Sequence, residues 1–326
     1  MMSDRLPGDP ASLDALVRDA TTDRPAKAYA DVRAFIATLD ASTQALTSTV
    51  ARAARGAAPA DRLGYAFVAG YFAALSGLGK SAEERLRFSR RTAVAATEVS
   101  GVHPRNIAAA VEARPGVGLT LRGDKTFVTL AEVADTFMVI ARNGTSPADE
   151  HGRLKLVALL IPADRDGVRI EPKPKTSFAP EVPHSRVRFE DVSIEPSDML
   201  PGDGWADWLK PFRTAEDTHV AAAAAAYLLA AARRGSVLPA VIGDLSAVLA
   251  IALTVEREGW SSVGGHLALV GAFEGLRRAF DMVVAGLEED GAERRRLARD
   301  VLLLGVAETA RAKRTEIAIN RLIEAR

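Results

Sequence analysis

Between Thr92 and Asp198 the helical periodicity that marks both flanks of the chain breaks off, and short β-type runs replace it. Strands are predicted over Thr92–Thr97, Asn106–Glu112, Leu119–Leu121, Lys125–Thr129, Thr136–Ala141, Leu154–Ile161, Val168–Glu171 and Arg186–Glu190. Gly, Pro, Asp and Asn separate them at intervals of roughly ten residues, the texture of a compact antiparallel sandwich or barrel. Arg186-Val187-Arg188-Phe189 alternates, as a strand with one wet face does.

Before this region the pattern is helical. Leu13, Leu16 and Val17, then Val32, Phe35, Ile36 and Leu39, recur at helical spacing, with Pro25 between the two sets. Tyr65 to Leu75 reads as the most apolar helix, ended by Gly77 and Gly79, and Ser81 with Glu84 reads as the next cap. After Gly204 the chain is helical again. Breaks fall near Gly235–Pro239, Gly259–Gly265 and Glu289–Gly291, which leaves about four helices for a bundle. The predicted fold is therefore an α+β multi-domain chain. It has an N-terminal helical domain (1–91), a central antiparallel β sandwich or barrel (92–200) and a C-terminal helical bundle (201–326).

Composition narrows the function. Lys plus Arg and Asp plus Glu are 42 each, so no basic field invites nucleic acid. There is no cysteine, which removes disulfides, thiolate metal sites and a thiol nucleophile. No HExxH-like spacing suggests a metal. The first twenty residues are polar, unlike a signal peptide, and the apolar run Val220–Ala232 is too short to cross a bilayer. A cytoplasmic protein without membrane contact is expected.

The stretch from Leu200 to Arg234 is where chemistry is expected. A Pro201-Gly202-Asp203-Gly204 turn leads into an alanine-rich helix, and alanine lets neighbouring helices approach closely. Arg213, Glu216 and Asp217 share one face of it, and His219 follows. The structural alternative is a capping box, with Thr214 as N-cap and Asp217 reaching back, or a plain surface ion pair. Three segments carry both Pro and His: Gly101 to Arg105 with His103, Phe178 to His184, and Lys210 to His219. Histidine titrates near neutrality, so His103, His184 and His219, with Arg105, are candidate substrate contacts if these segments converge. Isolated histidines beside prolines in surface loops are the alternative. The positive charges of the closing run, Glu293 to Arg326, read as a solvated helix face or an oligomer contact.

The middle of the chain resembles the acyl-CoA dehydrogenase superfamily. The resemblance rests on Ala96-Thr97-Glu98-Val99-Ser100-Gly101, then Gly123-Asp-Lys125-Thr-Phe127-Val-Thr129, Ala134-Asp135 and Val139-Ile-Ala-Arg142. Phe189-Glu-Asp191-Val192, Pro196, Leu200-Pro-Gly202 and Arg213 follow in the family's order. The resemblance implies FAD held at Thr97, Glu98, Ser100 and Thr129, and an acyl-CoA substrate oxidised across a CH–CH bond. It implies a glutamate base, for which Glu216 and Asp217 beside Arg213 are the candidates. It also implies a homo-oligomer, dimer or tetramer, with an electron-transfer flavoprotein as a partner. Val99 stands where the family prefers proline, and the family's Gly-Gly-x-Gly and Tyr-Glu-Gly-Thr segments are not found. Those departures leave a second expectation: an inactive relative acting as a binding or hetero-oligomer subunit.

Overall fold

The structure is a computed structural model that describes residues 9–43, 45–79, 81–88, 91–101, 103–145 and 155–324. Leu154, at the start of one predicted strand, lies outside the described residues. The chain divides into two compact units. One comprises Met1–Gly77, Thr176–Glu181 and Thr214–Arg326, and the other Leu78–Lys175 and Val182–Arg213. The first and last helical stretches thus belong to one unit.

In the helical unit, α1 (Leu13–Ala20), α2 (Val32–Thr43), α3 (Thr49–Ala57) and α4 (Leu63–Ser76) come first. Ser12 caps α1 and Ser48 caps α3, each accepting an amide three residues on. Tyr65 and Tyr71 of α4 are buried, and Phe35 of α2 stacks on Tyr65 with centroids 4.9 Å apart. In the other unit, α5 (Ala82–Arg87) starts with the expected capping box: Glu84 N–H donates to Ser81 Oγ, and Ser81 N–H to Glu84.

That unit is built on β1 (Thr92–Ala95), β2 (Ala110–Arg114), β3 (Gly118–Thr129), β4 (Thr136–Asn143), β5 (Leu156–Pro162), β6 (Val168–Pro172) and β7 (His184–Ile194). They form one sheet in the order β1-β4-β2-β3-β7-β6, with β5 also on β4. The expected antiparallel character needs one correction: β1 and β2 run parallel to β4. β4 is buried on both faces, from Phe137 to Ala141, which is why it reads as a continuous apolar run. The separate strands expected at 119–121 and 125–129 are one strand, β3. It passes through Gly123, where a Cβ would collide with Ala109, and through two register shifts against β7.

After the sheet, Gly204–Leu209 is a π-helical turn, with the Asp203 carboxylate accepting the amides of Trp205 and Ala206. α6 (Lys210–Arg234) continues directly from it, and its residues from Thr214 onward belong to the helical unit. Thr214 is therefore inside a helix, and the expected cap at Thr214 is replaced by Asp203. Pro211 does not kink a continuous helix, because it sits in the first turn of α6 where the wider turn hands over. Ala221 to Ala232 are buried, and α4 comes close enough that a Cβ on Gly70 would lie 2.9 Å from the His219 carbonyl oxygen. The alanine run permits that approach.

α7 (Leu238–Glu258) and α8 (Val263–Gly286) pair along Val241, Leu245, Val248, Leu249, Ala252 and Val255 of α7. α7 is long and apolar enough to cross a membrane by length and composition. Its buried positions recur three, four and seven residues apart, the pattern of a core-facing helix. α9 (Ala292–Asp300), a 3₁₀ turn and α10 (Glu308–Glu324) complete the unit, so among the described residues the expected four helices are five.

Candidate functional site

Two groups of predicted site residues are placed, one in each unit. In the sheet unit the first lies where β1 runs out. The Thr97 carbonyl accepts the Thr126 amide at 2.9 Å, and Glu98 and Gly101 close a tight turn on each other's backbone. Gly101 has a φ of +93°, which glycine adopts without strain. Val99 and Ser100 stand exposed at the tip. Glu98 points the other way. Its carboxylate takes Lys125 Nζ at 2.6 Å and the amides of Ala108 and Ala109 at 2.7 and 3.1 Å. Lys125 also donates to the Ile140 carbonyl, so this buried pair is tied on both sides and holds the turn. Burial pulls the Lys125 ammonium down from its ordinary value, and the Glu98 carboxylate opposes that.

Thr129 ends β3 opposite His184 at the start of β7. Phe127 and Thr129 share one face of the strand, while Val128 is buried on the other. The Phe127 ring is 42% exposed and stacks on the His184 ring at 4.3 Å. His184 Nδ1 is buried without a hydrogen-bond partner, and burial pushes the imidazole down to about 4. Among the described residues the hydroxyls of Thr97, Ser100 and Thr129 make no side-chain hydrogen bond. His103 is exposed, its Nδ1 accepting the Arg105 amide at 3.3 Å to cap a 3₁₀ turn, and Arg105 is exposed beside it. No hydrogen bond or ring contact among the described residues joins either to His184.

In the helical unit Asp217 is almost fully buried, with Arg311 on one carboxylate oxygen at 3.0 Å and Arg314 on the other. The partners of the predicted ion pair thus include two arginines of α10. Arg311 lies 3.8 Å over the Phe273 ring and donates to the Leu304 carbonyl. These residues floor a cavity of about 500 Å³ walled by α8 and α10, including Leu269, Val270, Ala312 and Ile319. Glu216, one residue earlier, is partly exposed, as is Arg213 in the first turn of α6.

His219 is fully buried rather than in a surface loop. Its Nδ1 meets the Ala215 carbonyl at 2.6 Å and its Nε2 meets Thr49 Oγ1 at 2.8 Å, so both nitrogens are engaged. Thr49 Oγ1 passes the bond on to Glu256 of α7 at 2.7 Å. Glu256 also takes the Ser48 hydroxyl and the amides of Thr49 and Val50, closing the N-terminus of α3. Burial pushes the Glu256 carboxyl up, but the Ser48 and Thr49 hydroxyls and His219 more than offset this and hold it below the carboxylate range. Thr49, Glu256, Arg311 and Arg314 were not predicted as site residues. Their only sequence signals are a Ser48-Thr49 helix start and an i, i+3 arginine pair, neither of which names a partner.

The chemistry at the β1 and β3 ends suits a flavin. An unengaged hydroxyl at Thr129, an exposed aromatic face at Phe127 and a buried unpartnered ring nitrogen at His184 lie on the paired ends of β3 and β7, with Thr97 just past β1, and a flat heteroaromatic ring needs both stacking and polar contacts along its edge.

The solved structures of the acyl-CoA dehydrogenases share this fold over almost the whole chain. Butyryl-CoA dehydrogenase from Megasphaera elsdenii superposes with a TM-score of 0.71 at 16% identity, covering 98% of this chain and 100% of that one. Glutaryl-CoA dehydrogenase from Mycobacterium smegmatis gives 0.69 at 13% identity, covering 98% and 96%. PigA with FAD and proline gives 0.66 at 15% identity, covering 99% of each chain. The family model of the acyl-CoA dehydrogenase middle domain matches residues 93–192, the sheet region where the sequence motifs lie. Residues 93–192 thus match the acyl-CoA dehydrogenase middle domain, and the chain shares the fold of these dehydrogenases. No curated protein matches it in sequence.

Proposed function

We propose that this chain is an acyl-CoA dehydrogenase-like flavoprotein oxidoreductase acting on CH–CH groups of acyl thioesters. The observation that supports the reading is the unengaged Thr129 hydroxyl on the strand face of the exposed Phe127 ring, with Thr97 joined to the same strand through the Thr126 amide. These residues would hold the flavin ring of FAD, which supplies the hydride acceptor when bound. Glu98 takes part by fixing the turn that presents Thr97 and Ser100, through Lys125 and the amides of Ala108 and Ala109. The proton has to leave to a carboxylate of this chain. Glu216, partly exposed and three residues after Arg213 on the same helix face, is the candidate base; both oxygens of Asp217 are held by arginines. His103, Arg105 and His184 remain candidate ligand contacts. The exposed apolar side chains of α10, Ile319, Leu322 and Ile323, suit burial in a homo-oligomer, and an electron-transfer flavoprotein is the acceptor this chemistry calls for.

The test is direct. The purified protein should show, or gain on adding FAD, absorption bands between about 350 and 500 nm, the range of an oxidised flavin. Butyryl-CoA should then bleach them or reduce a dye, and Glu216→Ala should lower the rate by at least about a hundredfold with FAD still bound. A second reading is favoured by the double arginine clamp on Asp217 and the buried engagement of Glu98. Under it the chain is an inactive relative that binds an acyl ligand or a full-length partner. Flavin uptake with no acyl-CoA-dependent reduction would support that reading; no flavin uptake would remove the flavoprotein reading altogether.

A further inference from the structure

His184 is held unusually firmly for a strand-end residue. Pro183 before it accepts the Leu130 amide at 2.8 Å, and His184 itself pairs with Thr129 on one side while its carbonyl accepts the Lys173 amide at 2.9 Å on the other. The backbone is thus fixed from both neighbours, and the stack on Phe127 fixes the ring plane. Nδ1 is buried and has no partner. A buried N–H without an acceptor is more costly than a buried lone pair, so the ring proton belongs on Nε2. No charged side chain contributes to its titration; burial alone lowers it, so the ring is neutral at pH 7. The result is two stacked flat rings, one half-exposed, with a single N–H and the Thr129 hydroxyl beside them.

A cross-strand pair that served the sheet alone would gain by burying Phe127, yet 42% of that residue is left open. An exposed flat aromatic with an adjoining neutral donor suits a planar ring that carries carbonyl oxygens, and suits a phosphate or an acyl chain poorly.

We propose that His184, stacked on Phe127 and paired with Thr129, is the residue that reads the isoalloxazine ring of the flavin, rather than a contact to the acyl substrate. The inference rests on the flavin reading above. It assigns His184 a positioning and recognition role: Nε2–H donates to the ring, and Phe127 supports the imidazole from behind.

The experiment is a titration of the apoprotein with FAD, riboflavin and ADP, followed by flavin fluorescence or calorimetry, together with thermal melting of each unliganded variant. His184→Phe keeps the stack and removes the donor. His184→Gln keeps a donor and removes the stack. Phe127→Leu removes the support. All three should weaken FAD and riboflavin alike by about tenfold, with ADP affinity unchanged and the unliganded melting temperature of His184→Phe equal to wild type or higher. Wild-type protein that binds FAD and riboflavin while His184→Phe and Phe127→Leu bind them equally well would overturn the inference and leave the flavin reading intact. Wild-type protein that binds neither flavin would overturn both. Weakening confined to butyryl-CoA, with flavin affinity unchanged, would return His184 to the substrate.

Discussion

At Lys125 and Glu98, a residue pair that looks like part of a flavin motif proves to be a buried ion pair with further hydrogen bonds on both partners. Removing one partner strands the other charge. Lys125→Met should therefore destabilise the protein by about 3–5 kcal/mol, read by urea denaturation, and the double variant Lys125→Met/Glu98→Gln should recover part of the loss. Glu181 is the opposite case. Its carboxyl lies against Gly64 of α4, where any Cβ would collide with it, and its Oε1 is buried without a partner. Burial pushes this carboxyl up, reinforced by Asp300 and opposed by its own backbone amide and by Arg299 and Arg62. A folded value above the unfolded one means stability that is fully present below the ordinary glutamate value of about 4.5 and lost as pH rises through the folded value. Glu181→Gln should remove that decline and raise the melting temperature at pH 7, while leaving the melting temperature at pH 4 nearly unchanged.

The N-terminus of α3 is closed by a carboxylate more than two hundred residues away, and the same Thr49 hydroxyl ties His219 of α6 into the network. Burial pulls His219 below the ordinary histidine value. The unfolded chain then binds the proton more readily, so this contribution to stability is present above about pH 6.5 and declines as pH falls below it. His219→Gln should flatten the melting temperature between pH 6.5 and 4.5 relative to wild type. If its profile is as steep as the wild-type profile, His219 does not carry the acid sensitivity. The π-helical turn before α6 has its own anchor. Trp208 is fully buried, donates from Nε1 to the Pro201 carbonyl at 2.7 Å and stacks on Phe88. Trp208→Ala should cost about 3–5 kcal/mol in equilibrium unfolding.

For the whole molecule, the exposed apolar residues on α10 mean that the isolated chain presents Leu322 and Ile323 more than half open to solvent. Light scattering across a concentration series should give a mass at least twice that of the chain, and Leu322→Glu with Ile323→Glu should lower it without changing the helical circular dichroism. Much of the architecture was legible in the sequence because it is local. Periodicity marked the helix–sheet–helix order, glycine and proline marked the breaks, and the Ser81–Glu84 box and the core role of Tyr65 follow from spacing alone. The strands at 119–121 and 125–129 read as two because Gly123 looks like a break. Only its neighbour Ala109, brought in from β2's approach, shows it to be a point of close passage.

The site was legible by half. The positions of Thr129 at the end of β3 and Thr97 just past β1 were legible, because strand periodicity shows where a strand runs out. Glu98 and His219 could not be placed from spacing, since burial depends on Lys125, Thr49 and Glu256, which lie far along the chain. Asp217 looked like the partner of Arg213 four residues away, but the helix face it shares is also the face on which α10 places Arg311 and Arg314. The sequence by itself determined the order of helical and strand segments, because that choice rests on neighbours within one or two turns. Tertiary structure alone decided which acids and histidines are engaged and which hydroxyls are left open, because a charge or a polar hydrogen is satisfied by whatever group packs against it, however distant in the chain.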